Sequence, residues 1–341
     1  MHVAVLTEPG EFEIVERDRP DPAADEVLVR VREVGICGSD LHYYEHGRIG
    51  DSVVTDPHVL GHESAGEVAE VGSSVDSLAV GDRVAIEPGL PCRRCAYCKR
   101  GEYHLCPDVT FLGSPPVDGA FAEYVAWPAD FCYRLPESVS TQEGALCEPL
   151  SVGIHAARRG DVGSGDSVLV TGGGPIGHCV MEAVRAAGAT DVVVSEPVDR
   201  KRDLAHERGA DCVVDPATES LADAVADHTG GRGVDVVIEA SGARPAIESA
   251  PQAVRRGGTV VLVGNPTADS VDLDALGVVQ AEVDVRGSYR YANTYPTAVS
   301  LLTDDRVDVS GLVEFDAPLD DVGSAFERAS DPETVKGTIR P

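Results

Sequence analysis

The stretch Ser167-Val168-Leu169-Val170-Thr171-Gly172-Gly173-Gly174-Pro175-Ile176-Gly177 decides how this chain is read. Its first half is a continuous apolar strand with no polar alternation, the mark of a strand buried on both faces of a parallel sheet. Its second half carries glycines at G-x-G-x-x-G spacing and runs into a helix, with Val180, Met181, Val184 and Ala187 at helical intervals. Glu196 closes the next apolar strand, Asp191-Val192-Val193-Val194-Ser195, 24 positions after Gly172. A glycine motif alone is weak. Between a strand and a helix, with an acidic residue at this distance, it reads as a dinucleotide turn. Gly172, Gly174 and Gly177 let the backbone approach a pyrophosphate, and the helix N-terminus supplies N–H groups and positive dipole. Glu196 would accept hydrogen bonds from ribose hydroxyls and repel a 2′-phosphate, which favours NAD over NADP. Arg200, Lys201 and Arg202 are the counterweight: they either greet a phosphate or form a solvated helix face.

Working outward, Arg200–Arg208 and Leu221–His228 read as helices. Cys212–Val214, Val234–Glu239 and Thr259–Val263 read as further strands. Alternating buried strands and helices predict an α/β architecture, a Rossmann-type doubly wound parallel sheet. Before Pro149 the texture differs. Val3–Val15 reads as a hairpin, and short strands with glycine turns follow, among them Val27–Val31, Glu67–Gly72, the turn and strand Val80–Ile86, and Gly119–Val125. That pattern predicts a β-rich, partly closed barrel-like domain. From about Val285 the pattern loosens, and Lys336-Gly337-Thr338-Ile339-Arg340 suits an extended strand. The expected domains are 1–152, 153–286 and a return to the first domain over 287–341.

Within the β-rich part, Cys92, Cys95, Cys98 and Cys106 stand at C-x2-C-x2-C-x7-C spacing. Four thiolates on one short loop suit a closed tetrahedral Zn2+ site that holds a lobe together. Disulfides or a redox pair are the alternatives. Cys37, the pair His62-Glu63, and Glu148 form a second candidate set. One thiolate, one imidazole and one carboxylate leave an open position, which is what a catalytic zinc needs. Such a zinc acts as a Lewis acid on a substrate hydroxyl, and hydride passes to the nicotinamide. The proton must leave, and Ser39 and His42 are suitably spaced after Cys37; turn formation in a loop is their plainer reading.

The 341 residues carry 58 acidic against 28 basic side chains, a formal net charge of −30, spread along the chain. Lysine occurs only at Lys99, Lys201 and Lys336. Self-repulsion of this size destabilises a compact state unless salt screens it. The expectation is a cytoplasmic protein adapted to high salt, with an ordinary acidic protein as the alternative. The charge argues against nucleic acid as a partner. Neither a signal peptide nor an apolar run of membrane-spanning length is evident. Cys132, Cys147, Cys179 and Cys212 read as reduced, small apolar side chains.

These motifs, in this order, resemble the zinc-containing medium-chain alcohol dehydrogenases over essentially the whole chain. Cys37-Gly38-Ser39-Asp40 with His42, Gly61-His62-Glu63-x-x-Gly66, the four-cysteine lobe and the Gly172–Gly177 turn carry the likeness. Within that superfamily the chain looks most similar to the polyol (sorbitol and xylitol) dehydrogenases. This rests on Cys37–Tyr44, Phe131–Pro136, Glu143–His155 and Arg290-Tyr291-Ala292-Asn293-Thr294-Tyr295-Pro296. The resemblance implies a GroES-like catalytic domain carrying the structural-zinc lobe, split around a Rossmann domain, and two Zn2+ per chain. It assigns Cys37, His62 and Glu63 to the catalytic zinc, with Glu148 reaching it directly or through a water. It places Tyr43, Phe111, Arg290 and Tyr291 in the polyol pocket, Ser39 and His42 in a proton relay, and Ile176, Glu196, Lys201, Val263 and Gly264 at the cofactor. It implies assembly as a homo-oligomer, a tetramer or dimer. Glu196 departs from the usual Asp, and Asn265 from a usual apolar residue. The rival expectations are a threonine, butanediol or aldose dehydrogenase of the same build, or a non-catalytic relative.

Overall fold

The computed structural model describes residues 1–266 and 270–341. The chain divides into two units, Met1–Glu148 with Tyr295–Pro341, and Pro149–Thr294. The divisions fall a few residues from the expected 153 and 287. The second differs because residues after the last parallel strand still bond within the middle unit: Ser288 N–H donates to the Leu262 carbonyl and Arg158 to the Asn293 carbonyl.

The middle unit holds six parallel strands in the order Cys212–Val214, Asp191–Ser195, Ser167–Thr171, Val234–Glu239, Val254–Leu262, Asp284–Gly287. Val168, Leu169 and Val170 are fully buried at its centre, as a continuous apolar run requires. The order reverses between Ser167–Thr171 and Val234–Glu239, the place where such sheets open a crevice at their carboxyl ends. Both the Gly172 turn and Glu239 sit at that end. The sixth strand, Asp284–Gly287, was not legible in the sequence. It is an edge strand whose residues are mostly exposed, so no apolar run marks it.

The first unit is built on a seven-stranded mixed sheet. Its long strand Glu26–Gly35 has two register shifts against Glu63–Val71; such irregularities bend a strand. Its first half pairs with Tyr124–Pro128 and its end with the C-terminal strand Lys336–Arg340. One bent strand with two successive partners gives the barrel-like closure. His2–Glu8 and Glu11–Glu16 form the N-terminal hairpin. Glu87, 1 % exposed, accepts hydrogen bonds from the Tyr103 and Tyr133 hydroxyls at 2.7 and 2.8 Å. It thereby ties the cysteine lobe to the sheet.

His178 lies fully buried in the helix Pro175–Ala187. Burial first, then the Arg208 and Lys201 charges, push it down to about 4. The unfolded chain takes up this proton near about 6.5. His178 therefore costs stability as pH falls from there towards 4, and costs none above it, at a slope of up to about 1.4 kcal/mol per pH unit. Urea denaturation of His178→Leu should show a shallower loss of stability between pH 6.5 and 4.5 than the unsubstituted chain. Parallel profiles would refute this.

Candidate active site

The helix Gly38–His46 begins directly after Cys37, and Asp40 organises its first turn. One Asp40 oxygen accepts from the Cys37 N–H at 3.0 Å, and the other from the Gly61 N–H at 3.3 Å. The second oxygen also lies 3.5 Å from His62 Nδ1. Asp40 is 1 % exposed, so these contacts stand in place of water. Facing Nδ1 to a carboxylate leaves Nε2 as the coordinating atom and fixes the ring, the usual second-layer support for a metal-bound histidine. The donor atoms of Cys37, His62 and Glu63 all lie within 4.8 Å of one another. Burial works against a charged His62, but Asp40 and then Cys37 outweigh it and hold the imidazole well above its usual value. A cation is favoured at this position, and a metal must displace that proton to bind.

Glu63 is 1 % exposed, at the start of the strand Glu63–Val71. Lys336 Nζ forms an ion pair with it and donates to the Ile36 carbonyl at 2.9 Å. Gly35 makes the approach possible, since a Cβ there would overlap the Glu63 carboxylate. Burial opposes the Lys336 charge; Glu63, Cys37 and Glu148 outweigh it and raise the ammonium above its ordinary value. Glu148, 5 % exposed, is felt by Lys336 but stands outside the tight donor group. Phe111 lies beside the cluster, its ring centroid 5.4 Å from that of His62. Tyr43 is buried and donates to Ser52 Oγ at 2.8 Å. Ser39 is half-buried and His42 exposed on the same helix. The His42 ring lies 5.9 Å from His46, and no hydrogen bond among the described residues joins it to Ser39.

The sulfurs of Cys92, Cys95, Cys98 and Cys106 form a second group within 4.8 Å. The Arg94 N–H above all lowers the Cys92 thiol to about 7, whereas burial and the neighbouring thiols push Cys98 up to about 12. Four such thiols ionise together only around a cation, and four sulfurs with no open position fit Zn2+. The three-donor cluster fits a zinc that keeps a position for substrate.

In the middle unit, Gly172 adopts φ +97°, and a Cβ on Gly177 would overlap the Gly172 carbonyl. Gly174 caps the helix, with open space where a Cβ would be. That cradle fits a pyrophosphate. Glu196 accepts from the Gly173 N–H at 2.6 Å and the Val198 N–H at 2.9 Å. It thus lies directly beside the turn. The Ile176 and Lys201 side chains are half-buried, and Val263 and Gly264 donate their N–H groups to the Glu239 carbonyl. Arg290 takes a positive φ of 51° with its guanidinium 4.8 Å over Tyr289, and Tyr291 is buried.

Asp40 and Lys336 were missed as functional residues. Asp40 had a signal, an acid three residues after a helix cap. Lys336 had a fainter one, a rare lysine in an otherwise strand-like ending.

Comparison with known proteins agrees with this chemistry. The alcohol dehydrogenase GroES-like domain family matches residues 23–137, and the zinc-binding dehydrogenase family matches residues 175–304. Sorbitol dehydrogenase of Bacillus subtilis is 44% identical over 329 residues, 96% of this chain and 93% of the relative. D-xylulose reductase A of Aspergillus niger is 42% identical over 330 residues, 94% of this chain and 92% of the relative. Among solved structures, an Escherichia coli oxidoreductase/dehydrogenase of unknown specificity superposes with a TM-score of 0.95 at 37% identity, covering 99% of this chain and 98% of that one.

The two donor groups should separate by metal analysis. Cys37→Ser should lose one zinc per chain and all turnover while keeping dinucleotide binding. Cys95→Ser should lose the other zinc and unfold at lower temperature. Full turnover by Cys37→Ser would remove the catalytic assignment.

Proposed function

The chain belongs to the zinc-binding, GroES-like alcohol dehydrogenases, and on that footing we propose that it oxidises a secondary hydroxyl of a polyol, of the sorbitol and xylitol type, to a ketose with NAD as acceptor. The observation that carries the reading is the Cys37, His62 and Glu63 donor cluster in a chain similar to sorbitol dehydrogenase along nearly its whole length. Two zinc ions per chain are proposed, one held by this cluster and one by Cys92, Cys95, Cys98 and Cys106.

Bound zinc would supply Lewis acidity that lowers the pKa of the substrate hydroxyl, and NAD would accept the hydride. The protein's own residues do the rest. Asp40 fixes the His62 tautomer, and Lys336 fixes Glu63. Ser39 is assigned to accept the hydroxyl proton while releasing its own towards solvent, and His42, exposed one turn further along the helix, is assigned to the same relay. Glu148 would reach the metal directly or through a water. Tyr43, Phe111, Arg290 and Tyr291 are assigned to the substrate. Their hydroxyl, guanidinium and ring groups suit a molecule with several hydroxyls, and a site built that way rejects analogues lacking them. Glu196 selects NAD: a carboxylate beside the turn accepts from ribose hydroxyls and repels a 2′-phosphate. Gly172, Gly174, Ile176, Gly177, Lys201, Val263 and Gly264 complete the proposed cofactor contacts.

A homo-oligomer, dimer or tetramer, is part of the proposal, and the edge of the parallel sheet supports it. Asp284–Gly287 ends the strand order among the described residues, and near it in sequence Leu276 is 65 %, Val279 71 % and Tyr289 55 % exposed. A strand edge next to apolar side chains is an association surface. The net charge of −30 supports a working environment of high salt. No disulfide is formed among the described residues, which supports a reducing compartment such as the cytoplasm. No helix of the described residues is long and apolar enough to cross a membrane.

Initial rates in ~2 M KCl, chosen to screen the acidic surface, should show turnover of sorbitol or xylitol with NAD and far less with NADP. Turnover of threonine, 2,3-butanediol or glucose alone would discard the polyol assignment and leave the zinc chemistry standing. The same enzyme at low salt should lose activity or dissociate in light scattering. Val279→Asp should weaken the assembly at any salt. An enzyme fully active and stable near zero salt would refute the salt adaptation.

A further inference from the structure

Lys336 is the one Lys or Arg counted as buried among the described residues, and its side chain is 1 % exposed. It faces Glu63, with Cys37 and Glu148 close enough to feel its charge. Glu63 is equally buried. Isolated buried charges are strongly disfavoured, and removing one partner of a buried pair leaves the other uncompensated. The placement is built rather than incidental. The C-terminal strand Lys336–Arg340 pairs with the end of Glu26–Gly35, and Gly35 leaves room where any side chain would displace the carboxylate. Lys336 Nζ also donates to the Ile36 carbonyl, next to Cys37.

We propose that Lys336 is the built-in cation of the donor cluster. It holds Glu63 in place and balances its buried charge whether or not a metal is present, so the site folds without waiting for zinc. The inference rests on the reading of Cys37, His62 and Glu63 as a metal site. Lys336 and a divalent ion answer the same carboxylate, so each is worth less when the other is present. That coupling is reciprocal. Removing Lys336 should therefore harm the metal-free protein more than the zinc-loaded one. A lysine that merely packs would matter equally to both.

The experiment is thermal unfolding of the full chain and of Lys336→Met, each stripped of zinc by chelator and each reloaded, with zinc per chain measured alongside. The zinc-free midpoint of Lys336→Met should fall by on the order of 10 °C, and the zinc-loaded midpoint by less than half as much. Equal falls in the two states would overturn the proposal. If Lys336→Met does not fold at all, the double variant Glu63→Gln/Lys336→Met decides, because it removes both charges. Recovery of a folded double variant supports the proposal; failure to recover overturns it. Equal zinc content in the unsubstituted chain and Cys37→Ser would instead overturn the metal reading, and this inference with it.

Discussion

A cluster of groups that favour negative charge is buried inside the barrel-like unit, and it must be neutralised where water cannot do so. Cys37, His62 and Glu63 converge there, with Glu148 outside the tight group but near enough to act on Lys336, in a setting where each uncompensated charge costs several kcal/mol. The surrounding architecture answers that constraint. Asp40 joins the Cys37 backbone, the Gly61 backbone and the His62 ring in one set of contacts. Lys336 arrives from the last strand, some three hundred residues away in sequence. The bend in Glu26–Gly35 allows that strand to dock at its end.

The cysteine lobe follows a different logic. Its donors lie within one local segment, and its sulfurs leave no open position. Its link to the sheet runs through Glu87 and the Tyr103 and Tyr133 hydroxyls. That arrangement suits the proposed role of a staple rather than a reactive centre. The middle unit follows a third logic, in which the reversal of strand order and the glycine turn coincide. There the Glu196 carboxylate already accepts two backbone N–H groups beside the turn. It is therefore already oriented, and orientation in advance is what the proposed ribose contact would need.

The two kinds of charge have opposite economies of scale. On the surface, acidic groups repel one another over distances that salt shortens. Inside, Lys336 and Glu63 are each 1 % exposed, and salt screens such a pair far less. An acidic exterior can thus vary with its surroundings while the buried cluster keeps its geometry.

The sequence by itself determined the class of fold and the kind of chemistry. Ser167–Gly177 is a local pattern whose apolar run and glycine spacing mean the same thing wherever they occur. The four cysteines are likewise legible because their spacing encodes their geometry. The sequence also supplied Cys37, His62 and Glu63 as donor types. It did not contain the sixth parallel strand, since Asp284–Gly287 is an exposed edge without apolar periodicity. Nor did it reveal Asp40 and Lys336 as supports, because a supporting role is a matter of what a side chain touches. Lys336 read as one polar residue in an extended ending. Only the tertiary structure, by laying that strand against Gly35 with no Cβ between, set it against the Glu63 carboxylate.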